Sequence, residues 1–115
     1  MIPALDPITL AWIALLVAGA FEWGWPVGLK LGWTASGTRP GWIVFSVVCM
    51  VFSGALLLYA QTSIAIGTAY AVWTGIGAVG AFLLGVILFR ESASPARIFF
   101  VMLIVAGIAG LKLVS

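Results

Sequence analysis

The sequence predicts an all-α integral membrane protein with four transmembrane helices. Of its 115 residues, 64% are hydrophobic and only 7% are charged, whereas a soluble domain carries about 25% charged residues. The apolar runs are continuous and lack the period-two alternation of a transmembrane β-barrel. Because one transmembrane helix takes about 20 residues, four of them occupy about 80 and leave room only for loops and ends.

The composition also excludes several kinds of site. The sequence contains no His, and Cys49 is its only cysteine, so it offers neither an intrachain disulfide nor a Cys/His metal cluster. A net charge of +2 provides no basic patch for nucleic acid. We therefore expect no metal, no cofactor, no enzymatic activity and no nucleic-acid partner.

The first two spans are predicted over about 8–31 and 40–60. The first follows Asp6-Pro7, a start signal with Asp as N-cap and Pro at the first helical position. It lacks a preceding Lys/Arg segment and is too long for a signal peptide, so we expect it to be retained. A loop rich in Gly, Ser and Thr joins the two spans over 32–39.

The last two spans are predicted over about 66–89 and 95–114. A short polar turn at 61–63 precedes the third span, and Ser94-Pro95 repeats the cap-then-proline start for the fourth. Such short loops favour consecutive helices as antiparallel neighbours. The sequence thus predicts a single four-helix transmembrane domain over 1–115. With no internal repeat to enclose a polar pathway, we expect it to oligomerise.

The basic residues are distributed unevenly between the two sides of this predicted bundle. Lys112 and the N-terminus fall on one side, and the first and third loops on the other side hold four basic residues, Lys30, Arg39, Arg90 and Arg97. The positive-inside rule places these two loops in the cytoplasm.

Glu22 is the residue on which the functional prediction depends. It is the only acidic residue inside a predicted span, where a carboxylate costs about 2.5–3.5 kcal/mol on insertion scales. The alternative is a neutral carboxyl that only hydrogen-bonds a neighbouring helix. A carboxyl in this position can hold a proton, and a cation can displace that proton by pairing with the carboxylate. Glu22 therefore predicts exchange of a proton for a cation.

Trp25 and Pro26 follow Glu22 within about one helical turn. Trp25 shares the helix face of Glu22, and its indole can donate to a carboxylate or hold a cation against its ring; Trp23 is predicted to pack on another face. Pro26 has no N–H, so it frees the Glu22 carbonyl and predicts a kink there. The alternatives are an interfacial tryptophan and a proline that the membrane helix tolerates.

The third span combines polar aromatic residues with dense glycine. Helical spacing puts four residues on one face, namely Tyr70, Trp73, Thr74 and Gly77. Of these, Tyr70 and Trp73 are predicted to face a cavity as hydrogen-bond donor and aromatic wall. Small residues form two rows that allow close helix contact, namely Gly67-Ala71-Gly75 and Gly77-Ala81-Gly85. The glycine-rich run from Gly75 to Gly80 predicts a bend point, with static close packing as the alternative.

The second and fourth spans add fewer candidates. Ser46 and Ser53 share a face of the second span, and Ser53 is predicted to hydrogen-bond the Glu22 carboxylate, with a bond to its own helix as the alternative. Ala106 and Gly110 form a small-xxx-small pair in the fourth span, which predicts a dimer contact.

Together these residues resemble the small multidrug resistance family of transporters over nearly the whole chain. The most specific stretch is 67–77, Gly-Thr-Ala-Tyr-Ala-Val-Trp-Thr-Gly-Ile-Gly, which is similar to the signature of the guanidinium-exporter subtype. The drug-exporting subtype usually carries Trp-Ser-Gly in place of Trp73-Thr74-Gly75. The segments 91–97 and 107–112 also resemble the guanidinium-exporter subtype.

The resemblance implies an antiparallel, dual-topology homodimer in the cytoplasmic membrane that exports small cations in exchange for protons. By position, Glu22 matches the shared proton and substrate carboxylate, and the surrounding polar ring is matched by Trp25, Ser53, Tyr70 and Trp73. The subtype usually reads Glu-Val-Val-Trp-Ala where this chain has Glu-Trp-Gly-Trp-Pro at 22–26. The charge bias is larger than ideal for dual insertion, which leaves open a second, oppositely biased partner chain.

The predicted function is therefore proton-coupled export of guanidinium and small substituted guanidinium ions. Guanidinium is planar and weakly hydrated, with N–H donors in a fork that carboxylates can satisfy. Two alternatives remain. One is an exporter of quaternary ammonium and other lipophilic cations, which the six tryptophans favour. The other is a small membrane subunit that transports nothing.

Overall fold

The structure is a computed structural model that describes residues 6–114. Its helices are α1 (Pro7–Gly32), α2 (Pro40–Ala60), α3 (Ile66–Phe89) and α4 (Pro95–Val114). All four are long and apolar enough to cross a membrane. The predicted all-α class with four spanning helices is confirmed, and the chain is a multi-pass membrane protein.

Two of the helices begin at the predicted capping residues. At the start of α1, the Thr9 amide donates to the Asp6 carboxylate at 2.8 Å, and this bond lowers the pKa of Asp6 from its ordinary value. At the start of α4, the Arg97 amide donates to the Ser94 hydroxyl at 3.3 Å. Each side chain thus satisfies an amide that has no partner within its helix.

The predicted loop at 32–39 contains a small antiparallel hairpin. Strand β1 (Trp33–Thr34) pairs with β2 (Gly37–Thr38). The Thr34 hydroxyl donates to the Gly37 carbonyl at 2.8 Å, and Gly37 has a φ of +137°, which a residue with a side chain rarely adopts. The hairpin is too short to show the alternation by which a sequence predicts strands.

Helix α1 is at the centre of the bundle, because it packs against both α2 and α3, whereas α4 packs mainly against α3. The prediction that consecutive helices are neighbours is therefore wrong for α2 and α3 over most of their length, because α1 lies between them. Small residues bring α1 and α2 together: a Cβ at Gly24 would lie 2.5 Å from Cys49 Sγ, and a Cβ at Gly28 would overlap the Ser46 hydroxyl.

The predicted rows of small residues on α3 do not form two continuous interfaces. Gly75 faces α4, because an added Cβ would lie 2.9 Å from Ile108 Cδ1, whereas an added Cβ at Gly67 would meet nothing within 4 Å. Gly77 and Gly80 instead face α1. The two ends of the row from Gly67 to Gly75 therefore have different surroundings within one chain.

One end of the bundle is held by charged side chains. Lys30 Nζ lies 3.6 Å from Glu91 Oε2, and Arg97 Nη2 lies 3.9 Å from Glu91 Oε1. These groups are partly exposed, so each pair contributes little to stability in water. The pairs join the end of α1 to the connection between α3 and α4, and the first and third loops therefore lie at the same end.

Candidate functional site

The Glu22 carboxyl lies near the middle of α1 and is half-buried. The fully buried Ser53 of α2 lies beside it, with 3.1 Å between the Ser53 hydroxyl and Glu22 Oε1. The indole Nε1 of Trp73 on α3 donates to the same hydroxyl at 2.8 Å. Three helices thus contribute one residue each to a chain of hydrogen bonds that runs from Trp73 through Ser53 to Glu22.

The Ser53 hydroxyl has one proton and two acceptors within reach. It lies 2.8 Å from the Ala18 carbonyl oxygen of α1 as well as 3.1 Å from Glu22 Oε1. A hydroxyl donates one hydrogen bond and accepts up to two. When Glu22 is ionised, the hydroxyl can donate to the carboxylate. When Glu22 is protonated, the carboxyl can donate to Ser53 while Ser53 donates to Ala18, so both charge states are satisfied.

The wall of the site on the α3 side is backbone. An added Cβ at Gly77 would lie 3.1 Å from Glu22 Cβ and 3.8 Å from Glu22 Oε2. A residue larger than Gly at this position would press on the carboxyl side chain. Within residues 6–114 both ion pairs are formed by Glu91, so Glu22 has no described cationic side chain within 4 Å.

The other predicted members of the polar ring are connected less directly. The Tyr70 ring lies 5.3 Å from the Trp73 ring, centroid to centroid, and is 56% exposed. Trp25 is half-buried, and no hydrogen bond joins its indole to another residue in the described part of the chain. The structure therefore brings Glu22, Ser53 and Trp73 together, with Tyr70 beside them, and leaves Trp25 outside the hydrogen-bond chain.

The predicted packing and bending residues lie in different surroundings. Helix α1 continues through Pro26 to Gly32, and Pro26 lines a cavity of about 240 Å³ that Glu91 also lines. Helix α3 is continuous through the glycine-rich run; within that run Gly80 is buried and faces Trp23. An added Cβ at Gly110 on α4 would meet nothing within 4 Å.

Sequence reasoning missed a hydrogen bond of Trp23. Its indole Nε1 donates to the Ile76 carbonyl oxygen of α3 at 2.8 Å, although the residue was predicted only to pack. A signal for it exists in the spacing of the glycines, since Gly80 provides room beside α3 one turn after Gly77. Reading that signal requires knowing that α1 packs against this face of α3.

Comparison with known proteins identifies the chain's family. A family model described as Small Multidrug Resistance protein matches residues 10–104. The chain belongs to this family. It is 52% identical to the guanidinium exporter of Salmonella typhimurium strain LT2 over 104 aligned residues, and this alignment covers 90% of this chain and 97% of that protein. It is also 52% identical over 106 residues to the guanidinium exporter of Yersinia pseudotuberculosis, covering 92% of this chain and 100% of that protein.

A third relative agrees with the other two. The guanidinium exporter of Citrobacter freundii is 51% identical over 104 residues, with 90% of this chain and 97% of the relative covered. The matched segment of the small multidrug resistance family runs through Glu22, Ser53 and Trp73. The resemblance predicted from residues 67–77 is thereby confirmed at the level of the family.

Proposed function

We propose that this protein, as one four-helix domain over 1–115, exports guanidinium and small substituted guanidinium ions across the cytoplasmic membrane in exchange for protons. The observation that carries the proposal is the Glu22 carboxyl, which lies half-buried in an apolar helix beside Ser53. An acid in this setting is a functional site by default. Its relatives that are named guanidinium exporters support the choice of cation.

Exchange follows from competition for one carboxyl. A proton neutralises Glu22, and a cation pairs with the carboxylate once that proton has left. The Ser53 hydroxyl has an acceptor in either state, Glu22 Oε1 or the Ala18 carbonyl, so neither state leaves a buried hydroxyl proton without a partner. Because protons and cations compete for the same oxygens, guanidinium affinity falls as the pH is lowered.

The shape of the site favours a planar cation with N–H donors. Ser53 contacts Glu22 Oε1, and Gly77 packs against the Glu22 side chain without adding a side chain of its own beside Oε2. A guanidinium can donate two parallel hydrogen bonds to a carboxylate. The rings of Tyr70 and Trp73 lie together next to this chain of hydrogen bonds, and aromatic faces stabilise a cation within about 6 Å. Trp25 completes the proposed ring.

The transporting unit in this proposal is an antiparallel homodimer. Helix α4 has no buried residue among those described, and an added Cβ at either Gly107 or Gly110 would meet nothing within 4 Å. Small residues that leave a helix surface open are typical of helix contacts in membranes. A second copy in the opposite orientation would supply the second carboxylate and make the two access states equivalent by symmetry.

Transport by purified protein in liposomes tests the substrate. A panel of guanidinyl and ammonium compounds is added in turn, and the proton flux and the substrate-induced current are recorded. Guanidinium and its small derivatives should be exchanged for protons, and tetra-alkylammonium ions, which have no N–H, should not. Equal transport of tetra-alkylammonium ions would favour the exporter of lipophilic cations, and no transport of any compound would favour the non-transporting subunit.

Labelling of a single cysteine tests the dimer. The cysteine is placed at residue 115, which lies outside the described residues, by Ser115→Cys in a Cys49→Ala background. It should react with an impermeant reagent from both faces of the membrane in cells that express only this chain. Labelling from one face in active cells would instead support a second, oppositely oriented partner chain.

A further inference from the structure

We propose that Trp23 is a positioning residue for the Glu22 site, because its indole fixes α1 against α3 immediately after the carboxyl. This proposal rests on the function proposed above for Glu22. It concerns a residue at which this chain departs from the pattern of the guanidinium-exporter subtype. Three contacts between α1 and α3 support it.

The first contact joins the Trp23 side chain to the backbone of α3. Its indole Nε1 donates to the Ile76 carbonyl oxygen at 2.8 Å. In an α-helix this carbonyl also accepts from the amide of Gly80, and a carbonyl oxygen has two lone pairs for the two donors. An indole N–H inside an apolar span has few other acceptors. The bond therefore holds α1 to a part of α3 that cannot rotate away as a side chain would.

The second contact gives the indole its place. A Cβ added at the buried Gly80 would overlap the Trp23 indole at Nε1, Cδ1 and Cε2. The ring thus occupies the volume that any larger residue at position 80 would need. Trp23 and Gly80 form a pair that depends on shape as well as on the hydrogen bond, and a side chain at position 80 would expel the ring.

The third contact lies one turn earlier and fixes the same register. A Cβ added at Gly19 would lie 2.5 Å from Ile76 Cγ2. Glu22 lies between this contact and the Trp23 contact, with Gly77 of α3 opposite its side chain. Because one residue of an α-helix corresponds to a rise of 1.5 Å and a rotation of about 100°, a shift that moves Glu22 along α3 also breaks the bond from Trp23 to Ile76.

Glu22 is consequently held in a slot between two helices. Ser53 of α2 contacts the carboxyl from one side, and Gly77 of α3 limits it on the other. Trp23 sets the distance across this slot by holding α3 in place. A guanidinium needs both carboxylate oxygens in a fixed direction for two parallel hydrogen bonds, whereas a proton needs only one of them. Losing the Trp23 bond should therefore weaken guanidinium binding more than proton exchange.

The Trp23→Phe variant tests this difference, since it keeps an aromatic ring and removes the N–H. Guanidinium uptake into liposomes should show a KM raised about 5-fold, the ordinary effect of losing one hydrogen bond, with kcat and the number of protons exchanged per cation unchanged. The matched control is Trp33→Phe in the hairpin, where the side chain is 72% exposed, and its KM should equal that of the wild type. A wild-type KM in Trp23→Phe overturns the proposal.

Gly80→Ala provides a second, independent variant. It displaces the ring and so also breaks the bond to Ile76; it should raise the KM at least as much as Trp23→Phe does, and adding Trp23→Phe to it should cause no further increase, because that bond is already lost. Multiplication of the two effects would overturn the proposal. Glu22→Gln separates a failure of this proposal from a failure of the proposed function. If Glu22→Gln loses coupled transport and Trp23→Phe has a wild-type KM, the role of Trp23 is refuted and that of Glu22 stands.

A measurement on the wild-type protein covers the case in which both variants fail to fold. The indole N–H signal of Trp23 is assigned in a ¹H–¹⁵N NMR spectrum by selective labelling at this position. It should move when guanidinium saturates the protein, because the cation pairs with the adjacent carboxyl. A signal that stays in place at saturating guanidinium would count against a positioning role.

Discussion

Helices α1 and α4 are both long apolar spans, yet they have opposite surroundings. Helix α1 packs against α2 and α3 and has eight buried residues, whereas α4 packs mainly against α3 and has none among those described. The hydrogen-bonded residues of the proposed site lie where α1, α2 and α3 meet. One chain therefore buries part of α1, whereas it leaves the residues of α4 to contact lipid or another protein.

The largest effect is expected at the polar residue of α1. Glu22→Gln keeps the size and the hydrogen bonding of the side chain but removes the exchangeable proton, so proton-driven guanidinium uptake into liposomes should be abolished. The matched control is Glu91→Gln, which changes the exposed acid at the end of the bundle and should retain most of the uptake. Accumulation of guanidinium against its gradient by Glu22→Gln would refute the mechanism.

The next effect concerns the unpartnered surface of α4. Gly110→Ile should lower the association constant of the dimer about tenfold, because a β-branched side chain prevents close approach of two helices. Energy transfer between labelled copies in liposomes measures this constant. Gly67→Ile is the control, since a Cβ at Gly67 also meets nothing within 4 Å of its own chain. Equal dimerisation of the two variants would remove α4 from the proposed interface.

A smaller effect is expected where α2 contacts α1. Ser53→Ala removes the hydroxyl between Trp73 and Glu22 and should raise the KM for guanidinium about 10-fold, because hydrogen bonds to charged groups contribute about 1.5–3 kcal/mol. Ser46→Ala is the control. Ser46 lies on the same face of α2, but its hydroxyl donates to the Trp42 carbonyl of its own helix. Uptake kinetics of the two variants should therefore differ, and an unchanged KM in Ser53→Ala would exclude Ser53 from the site.

The smallest effect is expected one turn beyond Glu22 on α1. Pro26→Ala restores an amide for the Glu22 carbonyl and should leave the protein folded and proton-coupled. It should reduce transport of bulkier substituted guanidiniums about 3-fold relative to guanidinium, since the proline leaves a backbone acceptor free beside the site. Rates across the substrate panel measure the ranking. An equal proportional loss for every compound would indicate that Pro26 affects only the helix.

The parts of this molecule that sequence could predict are those with local signals. Continuous apolar runs and the caps at Asp6 and Ser94 defined helices, and the solitary position of Glu22 marked the candidate site. The side chains that surround Glu22 were harder to predict, because Trp25 and Trp73 are equally plausible from helical spacing alone. Of the two, only Trp73 joins the hydrogen-bond chain. Which tryptophan does so depends on how the helices are rotated against one another, and helical spacing does not give that rotation.

Trp23 illustrates the limit most clearly. Helical spacing correctly separates its face from that of Glu22, since adjacent residues are about 100° apart. Spacing does not say which neighbouring helix covers that face. The Ile76 carbonyl and the space above Gly80 become visible only when α3 is packed on α1. A carbonyl that already accepts a hydrogen bond within its helix, as Ile76 does, is not marked in the sequence as an acceptor for a side chain, so a bond of this kind is found from the structure.

The hydrogen bond from Ser53 to Glu22 also has a consequence for how the protein is made. Its two residues are separated by 31 positions along the chain, and α1 emerges from the ribosome first. If α1 entered the bilayer without α2, the Glu22 carboxyl would have no Ser53 beside it, and an unpaired carboxyl is unfavourable there. Insertion of α1 and α2 as one hairpin resolves this difficulty. In that order of assembly α1 and α2 would bring Ser53 to the Glu22 carboxyl first, and α3 would then pack against α1.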